Sequence, residues 1–495
     1  MKKLKVATVI LAGIMLASFT ASAQYAETQL ILEQAENAET PVVITLEQAL
    51  KIALSENVSV KVADMEIKRT EYAKKGTYAS LFPQIDASGA YQRTIKKQVM
   101  YMDFDMSSLG GMMGGGAGEG EGEGGETVIP DGVQIPETEG SSNGGGLEVG
   151  RWNTWSAGVT AAMPLVNAQL WKSITLSGLD VELAVEKARS SRLETVTQVK
   201  NAYFATLLAK EAFNVYKEVY ENALSNYDEA QKKFDAEKIS EMELLRAKTS
   251  VANAIPNVYN AESTVILSLW QLKAVLGVDL DMNLDVAGTL DEYAEHMFYD
   301  VHQHDSLDLD RNTTMKQLAI QSEMLAETIR LQKYANIPSL AVAFNFSMNA
   351  MTNDFNFSEY RWTPYSYVGL SLNIPIFAGG KRYQSIRQAK NQYQQVQLQT
   401  ENTERQLKIA IRQSLTTMET NMKSYYAAQD AVASAQKGYS IAEKAYQVGR
   451  STLIELNDAQ LALTQAQLAQ SQAIYNFVVA KSQLEQTLGQ DFILR

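Results

Sequence analysis

The sequence has no cysteine, only three histidines and only nine prolines among its 495 residues. The absence of cysteine excludes disulfides, thiolate metal sites, a cysteine nucleophile and a lipidated N-terminal cysteine. Basic residues are also in deficit, because 44 Lys and Arg stand against 57 Asp and Glu and the formal net charge is −13. Such a chain is a poor match to nucleic-acid phosphates, so we expect no nucleic-acid partner. No catalytic constellation stands out, and we expect neither enzyme activity nor a cofactor.

Long apolar runs are missing except at the N-terminus. There, Lys2, Lys3 and Lys5 precede the apolar stretch 6–19, and Ala21-Ser22-Ala23 is a small-residue cleavage site. This pattern predicts a signal peptide over residues 1–23 and an exported protein. The run is shorter than the roughly 20 residues of a membrane-spanning helix. Because no later segment of the sequence is apolar enough, any membrane span is expected to consist of β-strands.

The first half of the mature chain changes its hydrophobic period at Pro83. After a polar leader over 24–44, Thr45 and Gln48 form a capping-box pattern that opens a helix running to about Ser80. Beyond Pro83 apolar and polar residues alternate, which predicts strands over 84–100 and 152–163. Between them lies the segment 101–150, with 16 of the 29 glycines, ten acids and no Lys or Arg. Such a composition cannot bury a core and predicts a solvated loop.

Two very long helices are predicted after the second strand. Residues 165–276 contain one glycine, Gly178, and one proline, Pro256. We expect a helix over 169–236, a break at 236–241 and a second helix over 243–276, with a local kink at Pro256. At 1.5 Å per residue the first would be roughly 100 Å long.

The second half of the chain repeats the first, with a helix predicted over 314–335 and alternating strands over 340–348 and 367–374. A long helix, a break near 448–451 and a shorter helix that ends at Leu488 follow. Leu488-Gly489 lies 212 residues after Leu276-Gly277, and small residues recur every seven positions in both halves, at 247, 254, 261 and 268 and again at 459, 466, 473 and 480. The predicted organisation is therefore a first repeat over 45–285, a connector over 286–313 and a second repeat over 314–495. Seven-residue spacing favours left-handed coiled-coil packing of the helices.

The apolar faces of the four strands need a covering layer, and membrane lipid can provide it. Trp152, Trp155, Tyr365 and Tyr367 lie near the strand ends, where we expect an aromatic girdle. Four strands cannot close a barrel, and open edges are not tolerated in lipid. Other copies must complete the barrel, and three copies, giving twelve strands, are favoured over two because a barrel of about eight strands is filled by its own side chains.

The motifs and their order resemble the TolC family of outer-membrane efflux proteins. The resemblance runs from Thr45 to Gly489 and rests on four groups of residues: Thr45-Leu46-Glu47-Gln48-Ala49-Leu50 with Asn57; Leu81-Phe82-Pro83-Gln84-Ile85; Ile374-Pro375-Ile376-Phe377 with Gly379-Gly380; and Tyr446-Gln447-Val448-Gly449 with Asp458-Ala459-Gln460. It implies an α+β membrane protein, in which duplicated coiled-coil hairpins build a periplasmic α-barrel beneath a shared twelve-stranded β-barrel. The implied function is a passive, homotrimeric exit duct in the outer membrane. The implied partners are lipid, a periplasmic adaptor and an inner-membrane pump of the RND or ABC type.

The resemblance also implies which residues carry the function. Four residues correspond to a periplasmic gate: Glu455, Asp458, Glu243 and Tyr446. The two hairpin tips correspond to adaptor-docking sites: Glu237, Lys238, Ile239 and Ser240 in the first, and Gly449, Arg450, Ser451 and Thr452 in the second. The first tip departs from the family pattern, since Glu237 stands where glycine is usual.

Two other functions remain open at the level of sequence. The chain could be a periplasmic coiled-coil adaptor, which would lack the four strands with a lipid-type face, or a surface structural protein built on the acidic loop. His302 and His304 lie beside Asp300 and Asp305. We interpret this group as part of a solvated connector rather than as a metal site.

Overall fold

The computed structural model describes residues 40–100, 147–295, 297 and 308–490. The signal peptide, most of the acidic loop and the pair His302 and His304 lie outside these residues. The chain divides into two compact units. The helical unit comprises Met1–Tyr78, Ala168–Asn336 and Ile376–Arg495, and the sheet unit comprises Ala79–Asn167 and Ile337–Pro375.

The elements follow one another in a duplicated order. The helices are α1 (Leu46–Glu56), α2 (Val58–Ala79), α3 (Ala168–Asp235), α4 (Glu241–Leu276), α5 (Asp291–Ala294), α6 (Thr313–Tyr334), α7 (Lys381–Gln447) and α8 (Leu453–Leu488). The strands are β1 (Val42–Ile44), β2 (Gln84–Arg93), β3 (Gln98–Met100), β4 (Leu147–Val149), β5 (Asn153–Val166), β6 (Leu284–Val286), β7 (Ser339–Thr352) and β8 (Thr363–Asn373).

The long helices begin and end close to the predicted positions. Helix α3 has 68 residues and α4 has 36, and each starts and stops within two residues of the sequence prediction. Helix α4 continues through Pro256 without ending there. All four small residues of its seven-residue stripe, Ala247, Ala254, Ala261 and Ser268, are buried, as close helix packing requires.

The first predicted helix, over 45–80, is wrong in one respect, because the structure divides it into α1 and α2. Thr45 caps α1 as predicted, with its amide donating to Gln48 Oε1 at 2.9 Å. Asn57 then takes an extended conformation (ψ 129°) and ends α1. Its side-chain oxygen accepts a hydrogen bond from the amide of Ser59 at 2.8 Å, so the same residue starts α2.

Asn57 has a counterpart in the second repeat. The side-chain amide of Asn57 donates to the carbonyl of Val275 at 2.7 Å, and that of Asn312 donates to the carbonyl of Thr487 at 2.6 Å. Val275 and Thr487 are 212 residues apart and occupy the last turns of α4 and α8. Each asparagine therefore starts one helix while satisfying a terminal carbonyl of another.

The core of the helical unit includes two segments that the sequence analysis placed elsewhere. Val42–Ile44, assigned to a polar leader, forms β1 and pairs in parallel with Leu284–Val286. The connector 286–313, expected to be solvated, contributes the buried Leu290 and Met297. Both predictions were wrong because these apolar segments are too short to show a period. They nevertheless belong to the core formed by α1, the middle of α3 and the C-terminal half of α8.

The sheet unit is an antiparallel sheet of four strands in the order β2-β5-β7-β8. Its register separates two faces: Val159 is level with Phe346, and Phe344 is level with Val368, on the apolar face. The other face carries serine, threonine and asparagine side chains. The alternation predicted from the sequence is thus confirmed, although the first strand ends at Arg93 rather than at 100 and the second extends to Val166.

Two members of the predicted aromatic girdle lie on the opposite face. Tyr365 and Tyr367 are level with Ser347 and Asn345, so their side chains share the polar face. Trp155 is level with Ala350 and lies on the apolar face, as predicted. Because strand side chains alternate, position near a strand end does not by itself decide the face.

Candidate functional site

The candidate site is formed by the two turns at the ends of the long helices in the helical unit. The first turn joins α3 to α4, and the second joins α7 to α8. These turns contain the residues that the sequence analysis assigned to the tips and to the gate. Their backbones are alike: the amides of Glu237 and Gly449 donate to the carbonyl three residues earlier, at 2.8 and 3.1 Å. The following amides, of Lys238 and Arg450, both donate to the carbonyl five residues earlier at 2.8 Å.

This hydrogen-bond pattern is the Schellman motif that ends many helices, and it requires a left-handed residue. Gly449 provides it with φ of 73°, and Glu237 adopts it with φ of 56°. Glu237 is the only residue other than glycine with positive φ in the described part of the chain. The departure from the family pattern seen in the sequence therefore leaves the turn unchanged but places a side chain in a strained backbone conformation.

We expect Glu237→Gly to stabilise the chain by about 1 kcal/mol, because it removes the cost of a left-handed conformation from a residue with a Cβ. The measurement is the midpoint of unfolding in urea. Lys238→Gly is the matched control, since Lys238 has negative φ and glycine there only adds freedom to the unfolded chain. Equal effects of the two substitutions would contradict the strain at Glu237.

The start of α8 holds Glu455 in place. Thr452 accepts a hydrogen bond from the amide of Glu455 at 3.3 Å, and the Thr452 amide donates to Glu455 Oε2 at 3.0 Å. The Ser451 hydroxyl also donates to this carboxylate. The hydrogen bonds from Ser451 and then Thr452 lower the pKa of Glu455 below its usual range, so it stays ionised. Glu455 thus serves as the capping-box residue of the second tip, a role that the sequence analysis did not assign.

Asp458 lies one turn beyond Glu455 and is exposed. Within the described part of the chain, its carboxylate forms no hydrogen bond or ion pair. The two acids share one face of α8, as their spacing predicts.

Tyr446 is buried where the two hairpins meet. It lies in an apolar cluster, here called the tip cluster, that joins α3, α4, α7 and α8: Ala230, Ala247, Tyr439, Tyr446, Leu453, Leu456 and Leu463. Burial, and then the carboxylates of Glu243 and Glu229, raise the pKa of the Tyr446 hydroxyl. Among the described residues this hydroxyl donates no hydrogen bond to Glu243, so the tyrosine acts in the single chain chiefly as an apolar anchor.

Lys233 is a contact between the hairpins that the sequence analysis missed. Its Nζ donates to the backbone carbonyl of Tyr446 at 3.0 Å and lies 4.4 Å from the centre of the Tyr446 ring. Glu229 lies one turn earlier on the same helix, 4.0 Å from this ammonium group. Lysine is common near the C-terminal end of a helix, and nothing in the sequence indicates that Lys233 donates to the end of a different helix, α7.

The tip residues differ in how exposed their side chains are to a partner. Ile239 packs against the tip cluster, whereas the side chains of Lys238 and Arg450 are exposed. Among the described residues, this region is a charged surface and contains no cluster of His, Asp and Glu suited to a metal ion. In the same part of the chain, no helix combines the length and the hydrophobicity needed to cross a membrane.

Comparison with known proteins agrees with this architecture. The family model described as "Outer membrane efflux protein" matches residues 49–278 and 306–490. Among curated proteins, TolC of Salmonella enteritidis is 20% identical over 295 residues, which cover 57% of this chain and 58% of that protein. TolC of Vibrio cholerae is 21% identical over 257 residues, covering 48% and 54%. The chain therefore matches somewhat more than half the length of these relatives.

Solved structures are similar over almost the whole chain. The CmeC outer membrane channel of Campylobacter jejuni has a TM-score of 0.64 at 17% identity, with 92% of this chain and 91% of that chain covered. VceC of Vibrio cholerae has 0.63 at 14%, covering 90% and 96%, and the MtrE channel of Neisseria gonorrhoeae has 0.62 at 15%, covering 90% and 88%. At these identities the likeness concerns the fold. Together with the family match, it shows that the chain belongs to the outer membrane efflux protein family, the TolC family that its motifs resemble, and is an outer-membrane protein rather than an enzyme.

Proposed function

We propose that three copies of this chain form a passive exit duct through the outer membrane, which works with a periplasmic adaptor and an inner-membrane pump of the RND or ABC type in efflux or secretion. The observation that carries this proposal is the exposed apolar face of the four-stranded sheet. Val368 and Leu370 on this face are both 71% exposed. Apolar residues exposed on one face and polar residues on the other suit a sheet with lipid on one side and water on the other.

The edges of the sheet support assembly from several copies. Strands β2 and β8 each have one neighbour in the sheet, so each leaves a row of backbone groups unpaired. Unpaired backbone groups in lipid cost several kcal/mol each, on the order of a lost hydrogen bond in an apolar medium. Pairing β8 of one copy with β2 of the next satisfies both edges. Three copies would give a barrel of twelve strands, lined by the polar face.

The helices also carry apolar side chains that a single chain leaves exposed. Tyr259 of α4, Ile409 and Ile441 of α7 and Leu461 of α8 are each more than half exposed. Neighbouring copies would cover them by the same coiled-coil packing that buries the small-residue stripe of α4. A periplasmic adaptor or a surface structural protein, the two alternative functions, would leave the apolar face of the sheet unexplained.

Assembly is tested by native mass measurement of the detergent-extracted protein and by separation of inner and outer membranes. We expect the mass of three chains and recovery in the outer membrane. A monomer or dimer that still inserts stably in membranes would contradict the trimer, and recovery in the soluble periplasmic fraction would contradict the duct itself.

The adaptor is proposed to contact the two tips, whose matching Schellman turns present Lys238 and Arg450 to solvent. We expect the double variant Lys238→Glu and Arg450→Glu to lower export at least tenfold while leaving the trimer intact, because both side chains are exposed and neither forms a hydrogen bond or ion pair with the described residues. Lys390→Glu with Lys437→Glu is the matched control, since both are exposed on α7 outside the turn. Export is measured as efflux of a dye in cells that contain the cognate adaptor and pump. Normal export by the tip variant would exclude a tip contact.

The gate is proposed to be a ring of Glu455 and Asp458 from the three copies. A three-fold axis would bring six carboxylates together at one constriction. Such rings favour cations over anions and bind multivalent cations between their charges. Tyr446 lies beside the same turn as these acids, and Glu243 lies beside the other turn. Both are proposed to hold the constriction narrow.

A further inference from the structure

The four helix ends that adjoin the sheet unit along the chain carry positive charge only. The connections between helix and strand are residues 80–83, 167, 335–338 and 374–380, and none of them contains a charged residue. The seven helical residues beside each connection contain no Asp or Glu. They include eight cations, here called the basic belt: Lys74 and Lys75 of α2, Lys172 of α3, Arg330 and Lys333 of α6, and Lys381, Arg382 and Arg387 of α7. These cations are concentrated in a chain whose net charge is −13.

Three of these helix ends are tied together by side-chain contacts. Lys172 of α3 and Arg330 of α6 both form an ion pair with the buried Glu327, and the Lys172 ammonium lies 2.5 Å from its carboxylate. The guanidinium of Arg382, at the start of α7, donates to the side-chain oxygen of Asn336, just beyond α6, at 3.1 Å. The ends of α3, α6 and α7 therefore lie side by side in a single chain.

Helix α2 completes the row. Arg192 of α3 pairs with Asp64 of α2 at 2.5 Å, so the two helices run along each other. Nearer the belt, the ammonium group of Lys74 lies 3.9 Å from the position that a Cβ of Gly178 in α3 would occupy. The eight cations are therefore distributed over one row of helix ends in the order α2, α3, α6, α7.

Most of the belt is not paired with acids of the described chain. Lys75 lies 5.5 Å from the ring centre of Tyr72, and Arg387 lies 5.7 Å from that of Tyr383. Aromatic rings attract a cation without cancelling its charge. Five belt residues form no ion pair with a described acid: Lys74, Lys75, Lys333, Lys381 and Arg387.

Acids outside the described residues join the chain away from the belt. The acidic segment 101–146 lies beyond the opposite end of β2, a strand of ten residues that spans roughly 33 Å. The segment 298–307 precedes α6, and 491–495 follows the end of α8, which contacts the start of α6 through Asn312. The belt lies at the other end of α6, whose 22 residues are about 33 Å long. Residues 1–39 join the chain before α1.

Each of the four helix ends also carries one exposed aromatic side chain: Tyr78, Trp171, Tyr334 and Tyr383. Trp171 and Tyr383 are 212 residues apart, so they occupy the same position in the two repeats. In the connection before α7, Ile376 and Phe377 are 90% and 86% exposed. Aromatic rings together with Lys and Arg are typical of protein surfaces at the boundary between lipid and water.

We propose that the basic belt binds the phosphate groups of anionic glycerophospholipids in the periplasmic leaflet of the outer membrane. This rests on the proposed function, because it requires the strands that adjoin the belt in the chain to cross that membrane. The uncharged connections and the exposed rings suit the lipid side of the boundary, and the cations suit the headgroup side. A lipid with a net negative charge is preferred to a zwitterionic one, since the belt contains no acid that could pair with a headgroup amine.

The test compares phosphatidylglycerol with phosphatidylethanolamine that has the same acyl chains. Each lipid is titrated against the full-length protein in detergent, and bound lipid is counted by native mass spectrometry. We expect the anionic lipid to bind more tightly. Glycerol phosphate, which has the phosphate group but no acyl chains, is added as a competitor and should displace little of the bound lipid.

Four exposed cations of the belt are then replaced together by glutamine: Lys75, Lys333, Lys381 and Arg387. The preference for phosphatidylglycerol should fall by about fivefold or more, which is the contribution of a single cation beside an anionic membrane surface. The mass of the assembly and the affinity for phosphatidylethanolamine should not change. The matched control makes the same replacement at four exposed cations of the helical unit outside the belt, and it should keep the preference: Arg246, Lys248, Arg412 and Lys437.

Equal binding of the two lipids by the wild type would overturn the proposal, whether or not the belt variant folds. A belt variant that folds and keeps the preference of the wild type would also overturn it, since the anionic lipid would then bind elsewhere. Displacement by glycerol phosphate at the concentration of the lipid would identify a free-anion site and would overturn it as well. Failure of the wild type to bind either lipid would instead contradict the proposed outer-membrane duct.

Discussion

Gly489→Ala and Gly277→Ala are expected to destabilise the chain by roughly 2 to 5 kcal/mol each, because two costs add. Both glycines follow a long helix with positive φ, at 66° and 78°. Both also lie against the backbone of the segment that carries the capping asparagine, which is Glu56-Asn57 for Gly277 and Arg311-Asn312 for Gly489. A Cβ at 277 would lie 2.7 Å from the carbonyl oxygen of Glu56, and one at 489 would overlap the carbonyl of Arg311. Backbone cannot rotate away as a side chain can, so the helix ends must separate.

Gly449→Ala is the matched control for these two substitutions. Its φ of 73° is as strained, but no atom lies within 4 Å of the Cβ position. Alanine at 449 should therefore lower the free energy of unfolding only by the cost of the left-handed backbone conformation, about 1 kcal/mol. The measurement is the midpoint of urea unfolding for the three variants and the wild type. Suppose that Gly449→Ala lowers the stability as much as Gly489→Ala does. The backbone conformation, and not the close approach of two chain segments, would then account for the loss at these glycines.

Removal of the two acidic charges at the proposed gate is expected to have the largest effect on function. The combined variant Glu455→Gln and Asp458→Asn should abolish block of single channels by multivalent cations and sharply reduce selectivity for cations over anions. Glutamine is chosen at 455 because the structure places Glu455 in a capping box, which glutamine can also complete. Alanine at 455 would remove the cap together with the charge and would confuse a gate effect with a frayed helix.

Glu262→Gln with Asp430→Asn is the control for this experiment. It removes the same charges from exposed positions of α4 and α7 outside the two turns. Single-channel recordings in planar bilayers measure block and the reversal potential in a salt gradient. Unchanged block and selectivity in the Glu455 and Asp458 variant would mean that these acids are surface charges and that the constriction lies elsewhere.

Several features of the fold could be predicted because they depend on neighbouring residues alone. The ends of α3 and α4 follow from a long stretch poor in glycine and proline and from the break at 236–241. The alternation in β7 and β8 follows from the two-residue period of strands. The duplication, and with it the correspondence between Glu237 and Gly449, can be read from the constant spacing of 212 residues.

Other features depend on which segments meet in space, and the tertiary structure decided them. Asn57 divides a helix that its own sequence would continue, because its amide satisfies a carbonyl 218 residues away in the chain. Lys233 caps a helix 213 residues away through Tyr446. Pairing with β7 determined which face of the sheet carries the side chains of Tyr365 and Tyr367. The sequence by itself thus determined the long helices, the alternating strands, the repeat and the family, since these reflect local periodicity and constant spacing. Only the tertiary structure decided where helices are tied together, because a buried polar group takes whichever partner the packing brings to it.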